Sequence, residues 1–568
     1  MLFSDWIEEL RRRRVLLAVL GYGVVVFAIL QVIRLPDWSL TTVIVSLAAG
    51  FPLAGTIAWL LDARRRPASP GARAARVRNR RIAFGLGAAA LAAGLLTGAG
   101  LYRSRPSIPR SDGRPSIAVL PFVDESADPD QGHFADGLTE EIQSALAQIP
   151  GLRVIGRTSS FAFKGRPQDL KAAARQLGVT SVLEGSVRRS GSRLRVTAQV
   201  VDVRDGYQLW SRSFDREVGD AFAVQDEIGR AVAEALQVTL LPRSREPDRR
   251  QADPEVMNQY LLARRFLARS SLDGFVRAAA ASEKAISLAP GFAPAWATLA
   301  AAAGGIADWR EAPDEVTASQ RKAVESAARA IALDPGLAEA HAVRAQMLAQ
   351  LNWDWEGARE GYDRALALAP GDADILRMHG AWFLAPLGRL PEAIEEIKVA
   401  AGLDPLSASA WSTLGALQVA SGRGGDGERS LARALEVDPE SDHARQALAV
   451  RHLLAGRPEV ALDESSKCAA EMWRLWGAAL AQHDMGHGHE SQAALDALVA
   501  RFASPSPFQI AEVHAWRGNL DQAFAWLEKA WEAHDRGLLL LQWDPLLRNL
   551  RGDPRLASLQ RRMNLPAG

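Results

Sequence analysis

The 568-residue sequence predicts a multi-domain chain with N-terminal transmembrane α-helices, a small α/β domain and a C-terminal all-α superhelix. Three observations predict this fold class. Three apolar stretches without charged residues lie within residues 1–102. Signals for strands and helices alternate over residues 115–242, and a phrase that ends in proline recurs about every 34 residues after residue 253. A chain of this length holds about two to four domains.

Composition and charge exclude few classes of function. Hydrophobic residues make up 48% of the chain and charged residues 23%, which is ordinary for a globular protein with a membrane portion. The net charge is +1, so the chain lacks the basic excess of many nucleic-acid-binding proteins, and we expect no nucleic-acid partner. Cys468 is the single cysteine, so no intramolecular disulfide can form. We expect its thiol to be a packing group on a helix.

The three uncharged stretches predict a membrane anchor over residues 1–102. They comprise residues 15–33, 40–61 and 82–102, and each approaches the roughly 20 apolar residues that a spanning helix needs. The third stretch is rich in alanine and glycine, and its alternative is a buried helix. Because a second apolar stretch follows the first at once, we do not expect a cleaved signal peptide.

Arginines predict the orientation of this anchor. Arg11–Arg14 precede the first stretch and eight arginines lie between the second and third, whereas Arg34 alone lies between the first and second. We therefore expect a multi-pass protein of the bacterial inner membrane, with a cytoplasmic N-terminus and a periplasmic chain after about residue 103. Leu2–Arg14 is either an amphipathic helix on the membrane surface or a charge cluster that only sets orientation.

A linker over residues 103–114 precedes a predicted βαβαβββα domain over residues 115–242. Ser116–Phe122 is a continuous apolar run, as in a buried strand. Ser181–Arg188 and Leu194–Val203 alternate apolar and polar residues around a Ser-Gly turn, which predicts a hairpin. A second linker covers residues 243–253. The remaining predicted elements are strands at Leu152–Ile155 and Tyr207–Phe214 and helices at Phe134–Ile149, Asp169–Leu177 and Val224–Leu240.

The proline-ended phrase predicts helical repeats. It ends at Pro290, Pro335, Pro370, Pro405 and Pro439, with spacings of 45, 35, 35 and 34 residues. A period of about 34 is the signature of the tetratricopeptide (TPR) repeat, a pair of antiparallel helices. An insertion of about ten residues around Ile306–Pro313 accounts for the spacing of 45. The expected packing positions are Trp296, Ala330, Pro335, Trp411, Leu414, Gly415, Ala434 and Pro439.

We expect about eight TPR units over residues 254–535 and a helical cap over residues 536–568, because the last apolar face of such an array needs a cover. A TPR superhelix offers a groove, lined by the first helix of each unit, for a protein or peptide partner. Trp382 and Phe383 are candidate partner-binding residues, since aromatic side chains are enriched at binding hot spots. They are adjacent on one helix and therefore point to different sides.

Two clusters are candidates for ligand sites. Arg157, Ser159, Ser160 and Lys164 lie near a strand end and offer donors for an anion. The alternative is that they are structural. The histidines of the second cluster have a spacing compatible with zinc or copper but lie in a glycine-rich turn, so we expect no metal site there. They are His483, His487 and His489.

No pattern predicts catalysis. Acidic residues at Asp136, Glu140 and Glu141 fall at the expected first turn of a helix, where they favour the positive end of the helix dipole. A phosphate-binding GxxxxGK[ST] loop is missing from the sequence. We therefore expect no enzyme, no catalytic residues and no cofactor.

Several short segments of the sequence resemble a known family. Ser116–Phe122, Phe134–Glu141, Arg157–Ser160, Leu183–Val187 and Gln225–Ile228 resemble the TolB amino-terminal-like domain. With the apolar stretches and the repeats, the chain resembles bacterial membrane-anchored TPR proteins, some of which carry a cytoplasmic adenylate-cyclase or winged-helix domain. Only 14 residues precede the first apolar stretch, so neither domain is expected here. The resemblance implies a protein of the cell envelope and supplies no chemistry.

These observations predict a non-enzymatic integral membrane scaffold whose periplasmic TPR superhelix binds a protein or peptide partner. The alternative is an envelope sensor that passes a signal to a separate cytoplasmic effector. A cyclase-related activity would rest on the family relatives alone. The sequence identifies neither the partner nor the oligomeric state.

Overall fold

The computed structural model of the chain describes residues 114–126, 132–165, 170–238, 253–310 and 312–566. These residues belong to one compact unit, in which an α/β module precedes a helical array. The module has a strand or helix wherever the sequence predicts one, and it also contains β2 and α2. In chain order its elements are β1 (Ser116–Val119), β2 (Val123–Asp124), α1 (Gly132–Ala147), β3 (Arg153–Val154), α2 (Arg157–Phe161), α3 (Leu170–Leu177), β4 (Ser181–Ser190), β5 (Arg193–Asp202), β6 (Gln208–Glu217) and α4 (Ala221–Ala235).

The strands form one mixed sheet of order β3-β1-β4-β5-β6, with β2 beside β4. β1 is parallel to β3 and β4, whereas β4, β5 and β6 form an antiparallel meander. Successive residues of a strand face opposite sides of the sheet. Ile117 and Val119 thus pack with α1 and α4, whereas Ala118 and Leu120 pack with α3. The module is therefore a sheet with helices on both faces.

Sixteen helices of the array form eight consecutive pairs, each joined by a short turn, so the array has a TPR fold. The fourth pair is irregular because α11 continues as a π-helical turn, Gly380–Leu384. The helices are α5 (Pro254–Leu267), α6 (Leu272–Leu288), α7 (Ala293–Trp309), α8 (Pro313–Leu333), α9 (Ala338–Asn352), α10 (Trp355–Leu368), α11 (Ala373–His379), α12 (Leu390–Leu403), α13 (Ala408–Ala420), α14 (Gly424–Val437), α15 (Asp442–Leu454), α16 (Pro458–Ser466), α17 (Glu471–Asp484), α18 (Gly488–Phe502), α19 (Pro507–Trp516) and α20 (Leu520–Glu532).

Small residues let the paired helices approach closely. Ala330 and Ala434 are fully buried, and Leu414 is 2% exposed. A Cβ atom added to Gly415 would lie 2.5 Å from Cγ of Leu431, so no larger residue fits between α13 and α14. The turn residues Pro335 and Pro439 are exposed.

The insertion in the second unit forms no long loop, because α7 and α8 extend into it.

Trp296 and Trp411 occupy the same position in two different units. Each indole Nε1–H donates to the carbonyl oxygen of the proline six residues earlier, Pro290 or Pro405, at 3.0 Å. This contact ties the first helix of a unit to the turn that precedes it. Two other units make the corresponding contact with the pairs His341–Pro335 and Arg445–Pro439.

The array starts inside the α/β module. Met257, Tyr260 and Leu261 of α5 are buried in the same core as the inner face of α1. A Cβ atom added to Gly137 of α1 would lie 2.7 Å from Cδ2 of Leu261, so the two helices are in close contact. The first array helix therefore completes the hydrophobic core of the module.

A C-terminal cap covers the last unit and returns to early units. It comprises two 3₁₀ turns, Arg536–Leu540 and Pro545–Leu550, and α21 (Pro554–Arg562). Arg536 donates to the carbonyl oxygen of Asp308 at 2.9 Å, and Trp355 donates to the carbonyl oxygen of Met563 at 2.7 Å. The cap therefore closes the array onto its second and third units.

The fold class needs one correction. In the described part of the chain, each helix is too short or too polar to cross a bilayer. The longest, α8, has 21 residues, but six of them are charged. The expected N-terminal transmembrane helices are thus not supported, and the fold class becomes an α/β module followed by an all-α superhelix. Residues 15–33, 40–61 and 82–102 lie outside the described residues.

The expected location is corrected for the same reason. A multi-pass protein of the bacterial inner membrane requires spanning helices, and among the described residues no helix has the necessary length and apolar character. The assignment of a cytoplasmic N-terminus and a periplasmic remainder depended on the same helices, so the structure gives it no support either.

Candidate functional site

Asp404, at the turn after α12, joins the array to the module. It is 5% exposed, and its Oδ1 accepts hydrogen bonds from the backbone N–H of Ser159, at 2.7 Å, and from the Ser159 hydroxyl. The Ser159 oxygen in turn accepts from the N–H of Leu406 at 2.7 Å. Beside it, the N–H of Gly156 donates to the carbonyl oxygen of Leu403 at 2.7 Å. Burial raises the pKa of Asp404, and the Ser159 donors oppose that rise.

The four residues of the predicted anion site lie on or just after α2. The hydroxyl of Ser160 is buried and has no hydrogen-bond partner among the described residues. An external anion at this site would have to displace acidic groups of the chain itself. The other three residues are already paired with these acidic side chains. Arg157 contacts Glu140 at 2.8 Å, Lys164 contacts Asp136 at 2.6 Å, and Ser159 contacts Asp404.

Glu140 belongs to a buried ion network between module and array. It is 3% exposed and lies 2.8 Å from Arg157 and 3.7 Å from Arg264 of α5. Arg264 also pairs with Glu339 of α9 at 2.7 Å. Burial raises the pKa of Glu140, and the two guanidinium groups oppose the rise. Because α1 begins at Gly132, Glu140 is not in the first turn and does not cap the helix as the sequence suggested.

A cleft of about 570 Å³ opens between the first two TPR units. We call it the Trp296 cleft. Apolar atoms of Trp296, Leu299 and Ile286 contribute to its wall, and Arg329 is an exposed cation on α8 that makes no ion pair within the described residues. Lys322 and Glu283 pair with each other across it. Its lining comprises Glu283, Ile286, Ser287, Trp296, Leu299, Lys322, Glu325, Ser326 and Arg329.

The structure places the two predicted partner-binding aromatics differently. Phe383 is 3% exposed and packs against Trp355 and Tyr362, at ring-centroid distances of 6.5 and 5.7 Å. Trp382 is half-buried at the surface of the same core. Of the pair, Trp382 therefore retains surface that a partner can reach.

The histidine cluster lies at the turn between α17 and α18. His483, His487 and His489 are exposed, and Nδ1 of His487 contacts Oε1 of Gln482 at 2.8 Å. In the portion of the chain that the structure covers, no group of three or more metal-ligating side chains has a geometry suited to an ion. Cys468 is buried after α16, and burial raises the pKa of its thiol to about 11.

Comparisons with known proteins give partial similarity. No family model matches the chain. "Putative adenylate cyclase 3" of Rhizobium meliloti (strain 1021) is 41% identical over 214 residues, which are 37% of this chain and 36% of the relative. The chain thus spans about a third of that relative's length.

Solved structures of TPR proteins are also similar in part. The type IV pilus biogenesis factor PilW is 24% identical, covering 33% of this chain and 87% of its own, with a TM-score of 0.30. YrrB, described as a TPR protein with an unusual peptide-binding site, is 18% identical, covering 38% and 99%, with a TM-score of 0.26. The resemblance of the module to the TolB amino-terminal-like domain stays a prediction.

Proposed function

We propose that this chain is a non-enzymatic interaction scaffold whose TPR array binds a protein or peptide partner at the Trp296 cleft. The observation that carries the proposal is the open cleft itself. Other parts of the array surface are covered by the protein itself. α5 completes the core of the module, Asp404 contacts the module, and the cap covers the last unit. The cleft combines a half-buried indole, that of Trp296, with the guanidinium of Arg329, which makes no ion pair among the described residues.

The chemistry of the cleft favours a particular kind of partner segment. Its apolar wall suits an apolar side chain, and tryptophan and arginine are the residue types most enriched among binding hot spots. Because Lys322 is neutralised by Glu283, Arg329 is the cation left for a ligand carboxylate. An extended segment with an apolar residue next to an acidic one would satisfy both groups.

The relative described as a putative adenylate cyclase raises adenylate-cyclase activity as a second candidate function. The similarity covers 36% of that relative, and the activity of the whole protein does not follow from a share of its length.

The experiment uses the full chain as bait, with partners identified by mass spectrometry and binding of the purified partner then measured by calorimetry. We expect Trp296→Ala to weaken binding at least about tenfold, a loss of about 1.4 kcal/mol. Arg329→Ala should act in the same direction. The controls are the matching positions in other units, Trp411→Ala and Arg364→Ala, which should bind like the wild type.

Trp411 makes the same proline contact as Trp296, so its variant measures the structural cost of losing an indole. If Trp411→Ala and Trp296→Ala weaken binding equally, the loss reflects general damage to the array and the cleft is not the partner site.

A further inference from the structure

Two buried carboxyl groups meet where the C-terminal cap covers the last TPR unit. Glu512 lies on α19 and is 2% exposed, and Asp544 precedes the second 3₁₀ turn of the cap and is 6% exposed. Glu512 Oε2 accepts a hydrogen bond from the indole of Trp476, at 2.7 Å, and Asp544 Oδ1 accepts one from the N–H of Leu546, at 2.8 Å. Each acid thus has one oxygen held by an N–H group.

The remaining oxygen of Asp544 has no such donor. Asp544 Oδ2 is buried, and no N–H or hydroxyl group of the described residues donates to it. α19, which carries Glu512, packs against the second 3₁₀ turn of the cap, and the side chains of Glu512 and Asp544 interact with each other. Two ionised carboxylates cannot hydrogen-bond to each other, and an unpaired buried charge is costly. A single proton between the two side chains satisfies both acids.

We propose that Glu512 and Asp544 share one proton and form a proton-dependent clasp, so that a rise in pH releases the cap from the last TPR unit. With the proton, a charge-assisted hydrogen bond joins α19 to the cap. Without it, two negative charges face each other in a buried site and repel.

Neighbouring charges act in the same direction on Glu512. Asp535, at the start of the cap, adds negative charge near Glu512, and burial together with Asp544 raises the pKa of Glu512 well above its usual value. Burial also raises the pKa of Asp544, while the nearby guanidinium of Arg551 partly opposes that rise. These are the charged groups that act on the pair from the described elements packed against it.

Release of the clasp would affect more than the last unit. The same cap carries Arg536, which binds Asp308, and Met563, whose carbonyl oxygen accepts the Trp355 indole. The cap therefore links the eighth unit to the second and third. Loss of its attachment to α19 would weaken the closure of the array.

The sign of the effect follows from the raised pKa of Glu512. A carboxyl group whose pKa is higher in the folded than in the unfolded chain stabilises the fold fully below its unfolded pKa. That stability declines as the pH rises through the folded pKa. The cap should therefore be tight in acid and loosen towards alkaline pH.

Two substitutions replace the shared proton with a permanent N–H donor. Glu512→Gln can accept from Trp476 and donate to Asp544, and Asp544→Asn can accept from Leu546 and donate to Glu512. Neither amide titrates, so each variant should hold the cap at every pH. Glu490→Gln, an exposed acid on α18, is the control for loss of one negative charge.

The test compares hydrogen–deuterium exchange of residues 536–550 in the full chain at about pH 5 and about pH 9, with each variant measured beside the wild type at the same pH. At about pH 9 the wild type and Glu490→Gln should exchange at least about tenfold faster than the two amide variants, and at about pH 5 all should exchange alike. If one amide variant fails to fold, the other decides. Equal exchange of wild type and amide variant at about pH 9 would overturn the clasp.

Discussion

The hydroxyl of Ser159 lies between Asp404 and Leu406, donating to the Asp404 carboxylate and accepting from the Leu406 backbone N–H at 2.7 Å. In the matching turn of another unit, Asp438 instead accepts directly from the backbone N–H two residues later, at 3.1 Å. At Asp404 the Ser159 side chain of the module thus lies between two turn residues that, at Asp438, hydrogen-bond to each other directly. This contact fastens the α/β module to the array.

Asp404→Ala should destabilise the full chain by about 2–3 kcal/mol, because it leaves the buried donors of Ser159 without their charged acceptor. The matched control, Asp438→Ala, removes an exposed aspartate from the same position of another unit and should cost less than about 0.5 kcal/mol. Denaturant unfolding of both variants measures the difference. Equal losses would mean that Asp404 does no more than an ordinary turn residue.

Ala434→Trp should cost about 1–3 kcal/mol or more, because Ala434 is fully buried between helices and the larger ring overpacks that contact. Ala432, two residues earlier on α14, is exposed, so Ala432→Trp should leave the melting temperature nearly unchanged. Thermal unfolding of the two variants checks this. A larger effect at position 432 than at 434 would show that the register assigned to α14 is wrong.

Cys468 should resist alkylation in the folded chain. It is 3% exposed, and burial raises the pKa of its thiol to about 11, so little nucleophilic thiolate forms at neutral pH. We expect iodoacetamide to modify it at least about a hundredfold more slowly at about pH 8 than in the denatured chain, whose thiol pKa is near 8.5. Rapid modification of the native chain would contradict its placement as a packing residue.

The repeats could be predicted from the sequence because their signals are local. Proline spacing and small residues such as Gly415 recur at a fixed period, and that period determines the paired helices. The Asp404 contact could not be predicted, because its partner Ser159 lies 245 residues away. Asp404 also reads as one more copy of the repeated Leu-Asp-Pro phrase. Asp438 stands in the similar sequence Val-Asp-Pro, so the local pattern gives Asp404 no distinct role.

The candidate site was predicted less well for the same reason. The TPR pattern has a large residue at the position of Trp296 and therefore predicts a packing role, but the pattern does not indicate that this indole also borders a cleft. The sequence predicts that Trp382 and Phe383 point to different sides of one helix but does not indicate which of them faces a partner, and in the irregular π-helical turn it is Phe383 that is buried. Local patterns predict which residues lie together on one face of a helix. Contacts with residues that are distant in the sequence determine which of these faces is buried.

Site-specific photo-crosslinking tests the central claim, that the array binds its partner at the Trp296 cleft. A photoreactive phenylalanine analogue is placed in the full chain at Ser287, on the cleft, or at Ala332, the matching exposed position of the next unit. A third position is Tyr207, which is 73% exposed on the α/β module. The account predicts a crosslinked partner from Ser287 and none from Ala332 or Tyr207. The same partner crosslinked from Tyr207 but not from Ser287 would contradict it and make the array a spacer.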